Sequence, residues 1–329
     1  MKTYSYLSIG ALVAGALVAG SSAPVAAEGK VVLYSAHKSE IIEAMVPLFE
    51  AATGIDAEVI KAGSGDIIRR AAAEQGNPQG DVIWSIGAEQ LQANNEILAD
   101  YTPTEVDKIN PAFLVGDKWL PYTGIVMVFV ANTDMLAADD MPKTWRALAD
   151  ASLKGKVSSA RADKSGSSFM QLATVLNIYG DQGWDVYGEI FNNFALSESS
   201  SAVPRFVNDG EAAVGITLED NALRFVEGGG PVTIIYPEDG TTAAPDGIAL
   251  IKDGPNPDNG KAFIDWALSH EAQSFLVKEM GRRSVRTDVA SSSSLPSFSD
   301  ITVVPYDITW AAGNRGNFVE KWTELLINR

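Results

Sequence analysis

The chain has 329 residues, a length that allows two domains, each with its own core. A hydrophobic content of 46% and a charged content of 20% describe an ordinary globular protein and exclude wholesale disorder. The net charge of -17 opposes nucleic acid and anionic membranes, and the lack of cysteine excludes disulfides, iron–sulfur ligation and thiol catalysis.

Lys2 is the only charge before Glu28, and an apolar stretch runs from Leu7 to Gly20. That stretch is shorter than the ~20 residues of a membrane span. Val25 and Ala27 fit the small-residue rule for cleavage, so residues 1–27 read as a signal peptide. The mature chain is then expected in a periplasm.

Strand and helix signals alternate from there. Val31-Val32-Leu33-Tyr34 is a buried strand, and Ile41, Ile42, Met45, Val46, Phe49 and Ala52 mark one face of a helix that Gly54 stops. Ala57 to Ile60 and Asp81 to Trp84 read as further strands, each leading into a helix. Tyr122 to Ala131 is a long apolar strand leaving the first lobe. Helices follow over 167–179 and 181–192, and strands over Val214 to Thr217 and Val232 to Tyr236. Ile248 to Ile251 returns to the first lobe, and helices over 258–268, 271–279 and 317–327 complete the chain. This pattern predicts an α/β protein with mostly parallel sheets, in two lobes with a ligand cleft between them. The expected division is residues 28–122 for the first segment of lobe 1, 123–236 for lobe 2, and 237–329 for the return that completes lobe 1 with the C-terminal helices.

Small polar residues gather at strand ends. Strand one ends at Ser35 and His37, strand two leads to Ser64-Gly65, and strand three ends at Ser85. The second lobe adds Ser165, Ser167 and Ser168 before a helix. In open α/β sheets ligands bind beyond the carboxyl ends of strands, and the unpaired N–H groups of helix starts suit an anion. Lys38, Lys164 and Arg205 are cations that could assist. Glu219, Asp220, Asp239 and Asp246 are carboxylates that could accept from an ammonium or from hydroxyls, with Thr241 and Thr242 beside them. The two histidines lie far apart in sequence, and no metal cluster, cofactor fingerprint or activated nucleophile appears, so neither an enzyme nor a cofactor is expected.

A wider set of segments carries a family likeness. These are Val32-Leu33-Tyr34-Ser35, Thr53-Gly54-Ile55, Asn77-Pro78-Gln79-Gly80-Asp81-Val82 and Tyr236-Pro237-Glu238-Asp239-Gly240-Thr241-Thr242, with Asn259 to Trp266 and Gly281 to Arg286. The mature chain resembles the solute-binding proteins of ABC importers, in the iron(III)-binding-like branch that includes hexose-phosphate and 2-aminoethylphosphonate binders. The resemblance implies a type II fold with two hinge crossings, lobe closure around one small solute, and delivery by a monomer to a permease and its ATPase. It also implies that iron binders carry adjacent tyrosines where this chain has Glu219-Asp220. The expected solute is therefore 2-aminoethylphosphonate, its phosphonate on the serine loops and its ammonium on Glu219 or Asp220. A sugar phosphate is the next expectation and ferric iron the last.

Overall fold

A computed structural model describes residues 29–329. The expected signal peptide lies outside the described residues. Lobe 1 begins with β1 (Lys30–Ser35), α1 (Ser39–Thr53), β2 (Asp56–Lys61), α2 (Ser64–Ala73), β3 (Val82–Gly87) and a short α3 (Ala88–Gln92). β1 pairs in parallel with both β2 and β3. Its apolar run is continuous because both faces are covered. Val31 and Leu33 enter one core, while Val32 and Tyr34 enter the other. In α1, Ile41, Met45 and Phe49 recur every four residues on the buried face, and Gly54 ends the helix at φ 73.

β4 (Leu120–Asn132) is the longest strand and joins two sheets. Its Leu120–Val126 portion pairs with the returning strand of lobe 1, and its Met127–Asn132 portion pairs with strands of lobe 2. Lobe 2 holds β5 (Val157–Ala160), α4 (Gly166–Tyr179), α5 (Gly183–Phe191), β6 (Phe194–Ser197), α6 (Val203–Asn208), β7 (Val214–Leu218), α7 (Glu219–Glu227) and β8 (Val232–Ile235). β9 (Thr241–Leu250) then runs back antiparallel to β4 and ends against β3. Two adjacent strands therefore cross between the lobes, as the type II fold requires.

The chain closes with α8 (Pro257–Ala267), α9 (His270–Met280), β10 (Arg283–Ser284), β11 (Val303–Val304) and α10 (Ile308–Ile327). α8, α9 and β10 complete lobe 1, β10 pairing with Thr123 and Gly124 of β4. The last helix spans both lobes, packing against α3 of lobe 1 as well as α4 of lobe 2. Expected in lobe 1, it sends Phe318 and Trp322 into the lobe 2 core with Phe169 and Phe191, while Ile308 at its start touches the lobe 1 core. Its aromatic face finds its burial there, next to α4 and α5.

One irregularity shapes the cleft. The pairing of β3 with β9 slips between Trp84 and Ile86, and Ser85 between them has φ 61. Trp84 and Ile86 are two residues apart yet face opposite cores, so the bulge reverses the strand's alternation. Ser85 is released from the ladder and turned toward the cleft.

Candidate functional site

A cavity of about 430 Å³ lies between the lobes. Lobe 1 lines it with His37 and Lys38 after β1, Gly63 and Ser64 at the start of α2, Ser85, Glu89, Asp246 and Arg282. Lobe 2 lines it with Ser165, Gly166 and Ser167 at the start of α4, Ser199, Ser200 and Ser201 after β6, and Asn221 of α7. Two helix N-termini from opposite lobes thus open onto one space. Part of their donor capacity is already used: Gly65 N donates across the lobes to Lys164 O at 3.4 Å, Asp66 N to Gly63 O, and Ser168 N to Ser165 Oγ. This leaves the first N–H groups, Ser64 at α2 and Gly166 and Ser167 at α4, at the positive ends of the dipoles.

The approach at this seam is close enough to need glycine. A Cβ at Gly65 would lie 2.8 Å from the backbone oxygen of Asp163, across the lobes. One at Gly166 would meet Gln90 Nε2 at 2.8 Å and Ser64 Oγ at 2.9 Å. The charges of lobe 2 at this seam are paired with each other, Lys164 with Glu198, both lining the cavity. Ser165 accepts from the N–H of Ser168, and Ser200 donates to Ser167 at 3.2 Å.

The other seam is ionic. Lys38 Nζ lies 2.5 Å from Asp220 Oδ2, and Arg282 Nε lies 3.0 Å from the same oxygen. Arg283 is bidentate to Glu219, with both contacts at 2.8 Å, and Tyr236 donates to Glu219 at 2.6 Å. Glu40 pairs with Arg224 at the rim. Each of these ion pairs joins lobe 1 to α7. Burial works against the Asp220 charge, but Arg282 and Lys38 outweigh it and hold the carboxyl below its usual range. Burial lowers Lys38 to about 8, with Asp220 pulling the other way.

Behind the ion pairs, Asp246 ties three strands together. It accepts from Ser85 Oγ at 2.6 Å, from Thr123 N at 2.9 Å and from Thr123 Oγ1 at 2.7 Å, and Arg282 Nη1 stands 3.7 Å away. Burial raises its pKa against those bonds. His37 is buried among Trp84, Tyr122 and Arg282, whose Nη2 lies 3.4 Å from Nδ1. Burial, then the Arg282 and Lys38 charges, push its pKa well below the ordinary value, so the ring is neutral. It serves the cavity wall as a hydrogen-bonding neutral group.

Of the expected site residues, His37, Ser64, Ser85, Ser165, Ser167 and Asp246 line the cavity. The others have different work. Ser35 is buried behind the wall, where it donates to Trp84 O at 3.0 Å and accepts from His37 N. Gly65 serves the lobe contact, and the N–H of Ser168 is spent on its cap. Glu219 and Asp220, expected to receive an ammonium, are answered by Arg283, Arg282 and Lys38. Asp239 lies away from the cleft and accepts from Trp145 N at 3.0 Å and Tyr179 OH at 2.5 Å. Thr241 donates to Met127 O at 2.5 Å, and Thr242 meets Thr174 at 2.7 Å, both in the buried crossing. Arg205 stacks on Phe206 at 4.9 Å and does not line the cavity.

Sequence reasoning missed Lys61, Glu89, Glu198 to Ser201, Asn221 and Arg282 as wall residues. The run Ser197-Glu198-Ser199-Ser200-Ser201 was a usable signal, a small polar loop of the same kind as the others. Arg282 offered none, because it reaches His37 across 245 positions of sequence.

The family profile described as bacterial extracellular solute-binding protein matches residues 35–274. The chain belongs to that family. It is a periplasmic solute-binding protein of an ABC importer, so a permease and an ATPase are its implied partners, and it binds its solute without catalysis. A Salmonella typhimurium periplasmic protein named for 2-aminoethylphosphonate binding is 27% identical, the match covering 83% of each chain. The periplasmic binding protein AfuA of Actinobacillus pleuropneumoniae, with exogenous fructose-6-phosphate bound, superposes with a TM-score of 0.85 at 25% identity. That match covers 90% of this binding protein and 98% of AfuA. Iron-bound HitA of Pseudomonas aeruginosa shares the fold with a TM-score of 0.79 at 19% identity, covering 89% of this chain and 99% of HitA.

Proposed function

We propose that this binding protein captures a phosphorylated sugar, its phosphate held at the seam between the starts of α2 and α4. The observation that carries this reading is the convergence of two helix N-termini from opposite lobes on one cavity, with Ser64, Ser165, Ser167 and Ser200 around it. A phosphate has oxygens enough to accept from both helices at once, so binding it favours the closed lobes.

Two further facts support a sugar over 2-aminoethylphosphonate. The carboxylates expected to hold an ammonium, Glu219 and Asp220, are already neutralised by Arg283, Arg282 and Lys38. The cavity of about 430 Å³ also falls within the ordinary range for small-molecule sites and exceeds what a two-carbon aminophosphonate fills. The fructose-6-phosphate carried by the AfuA structure agrees with this. The aminophosphonate remains the second reading, supported by the name of the Salmonella relative. Ferric iron prefers hard anionic oxygens such as phenolates, and no tyrosine lines the cavity among the described residues.

Titration calorimetry of the ligand-stripped protein tests the proposal with fructose 6-phosphate, glucose 6-phosphate, 2-aminoethylphosphonate, inorganic phosphate and ferric citrate. The expected result is tight one-to-one binding of a sugar phosphate and much weaker binding of phosphate alone. Tight binding of the aminophosphonate alone would replace this reading with the second.

A further inference from the structure

Two buried side chains face the cavity from opposite lobes, each with one acceptor oxygen left without a hydrogen-bond partner among the described residues. Glu89, on α3 of lobe 1, is 1% exposed and its Oε1 has no partner. Asn221, on α7 of lobe 2, is 2% exposed. Its Nδ2 donates to Thr217 Oγ1 at 3.0 Å, which orients the amide and leaves Oδ1 without a partner. Both residues line the cavity. Next to Glu89, Gln90 is equally buried; neither of its side-chain polar atoms makes a well-formed hydrogen bond, although its amide lies close enough to favour the Glu89 charge.

A buried polar atom left unpaired is costly, and native structures seldom carry one without something to complete it. What completes these two is chemically restricted. A carboxyl acceptor oxygen and an amide oxygen disfavour a phosphate oxygen and call for donors. An ammonium is not needed to balance Glu89, because Arg315 of α10 already supplies the cationic field there. Neutral hydroxyls fit both acceptors.

We propose that Glu89 and Asn221 are the specificity-determining residues that read the hydroxyl end of the solute, one from each lobe. This rests on the phosphorylated-sugar reading and deepens it: the solute carries hydroxyl donors on two sides of its neutral part. Inorganic phosphate lacks them, and an aminophosphonate offers donors at one end only. Because the acceptors belong to different lobes, a solute that satisfies both is also one that favours closure.

The test compares wild type, Glu89→Ala and Asn221→Ala by calorimetry, with thermal melts to show that each variant is folded. The probes are fructose 6-phosphate, glucose 6-phosphate, 2-deoxyglucose 6-phosphate and inorganic phosphate. Each substitution is expected to weaken the preferred sugar phosphate by about tenfold or more, while phosphate alone changes less than about twofold. Sugar and phosphate affinities that fall together would overturn the proposal, because the residues would then only shape the cavity. Unchanged discrimination would overturn it too, assigning both acceptors to ordered water. If wild type binds no sugar phosphate at all, the proposed function fails and this inference with it. Unchanged discrimination in the variants, with tight binding by wild type, overturns this inference alone.

Discussion

The two seams where the lobes meet are built from opposite chemistry. The seam between α2 and α4 is made of glycines, serines and backbone groups, with a cavity-lining ion pair, Lys164 and Glu198, contained within lobe 2. The seam along α7 consists of ion pairs in which Lys38, Arg282 and Arg283 meet Asp220 and Glu219. A buried charge with a fixed partner has little left to offer a ligand, whereas a helix start keeps its first N–H donors, here Ser64 and Gly166 with Ser167, for one. The carboxylates that looked like ligand contacts in the sequence therefore hold the protein to itself, and the neutral seam is left for the solute.

The largest expected effect comes from breaking the ionic seam at its centre. Arg282 is 4% exposed and answers both Asp220 and Asp246. Arg282→Gln leaves buried Asp220 with Lys38 alone and Asp246 with only its neutral donors, and should cost about 3 kcal/mol in urea unfolding. A loss below about 1 kcal/mol would mean that the seam is solvated in solution.

Next comes the pH response of Glu89, which faces Arg315, Tyr306 and Gln90. Burial raises its carboxyl from 4.5 to about 7. A raised carboxyl contributes stability that is fully present below about 4.5 and is lost as pH rises through about 7. Glu89→Gln removes that dependence. Its stability relative to wild type should rise by on the order of 3 kcal/mol between pH 4 and pH 8. A flat difference across that range would show that the carboxyl stays ionised, balanced by Arg315.

At the neutral seam, Gly65→Ala places a methyl group against the backbone of Asp163. Backbone cannot swing aside as a side chain can, so the lobes should close less completely. About a tenfold loss of sugar-phosphate affinity is expected, with the melting temperature of the ligand-free protein nearly unchanged. Equal affinity would mean that the solute is held without this approach. The smallest effect belongs to the rim. Glu40 and Arg224 are exposed, and Glu40→Gln should change stability by less than about 1 kcal/mol in a double-mutant cycle with Arg224→Gln.

Much of this architecture is legible in the sequence because its signals are local. Apolar runs and periodicity place β1, α1, β2, α2 and α4 within a residue or two, and strand-end serines mark four of the cavity's loops. Helix starts and stops are written in neighbouring residues. The rest depends on contacts between distant segments. Arg283 and Glu219 are 64 positions apart, so nothing local says that the acid is already paired. β9 is longer than its apolar run because Thr241 to Pro245 are held by β4 and β11, and Pro245 reads as a turn until its register with Gly124 is seen. α3 ends at Gln92 and gives way to a 3-10 turn over Asn95–Ile97, where the apolar spacing alone suggests a continuous helix. Alternation along β3 is broken by one bulge, which no residue type announces.

The most direct test of the division between seams sets Ser167→Ala beside Glu219→Gln, with fructose 6-phosphate titrated into each by calorimetry. If the neutral seam holds the phosphate, Ser167→Ala weakens binding by about fivefold to tenfold, and Glu219→Gln leaves affinity within about twofold while lowering the melting temperature. The opposite pattern, with affinity lost at Glu219 and kept at Ser167, would contradict the account and return the carboxylates to the ligand.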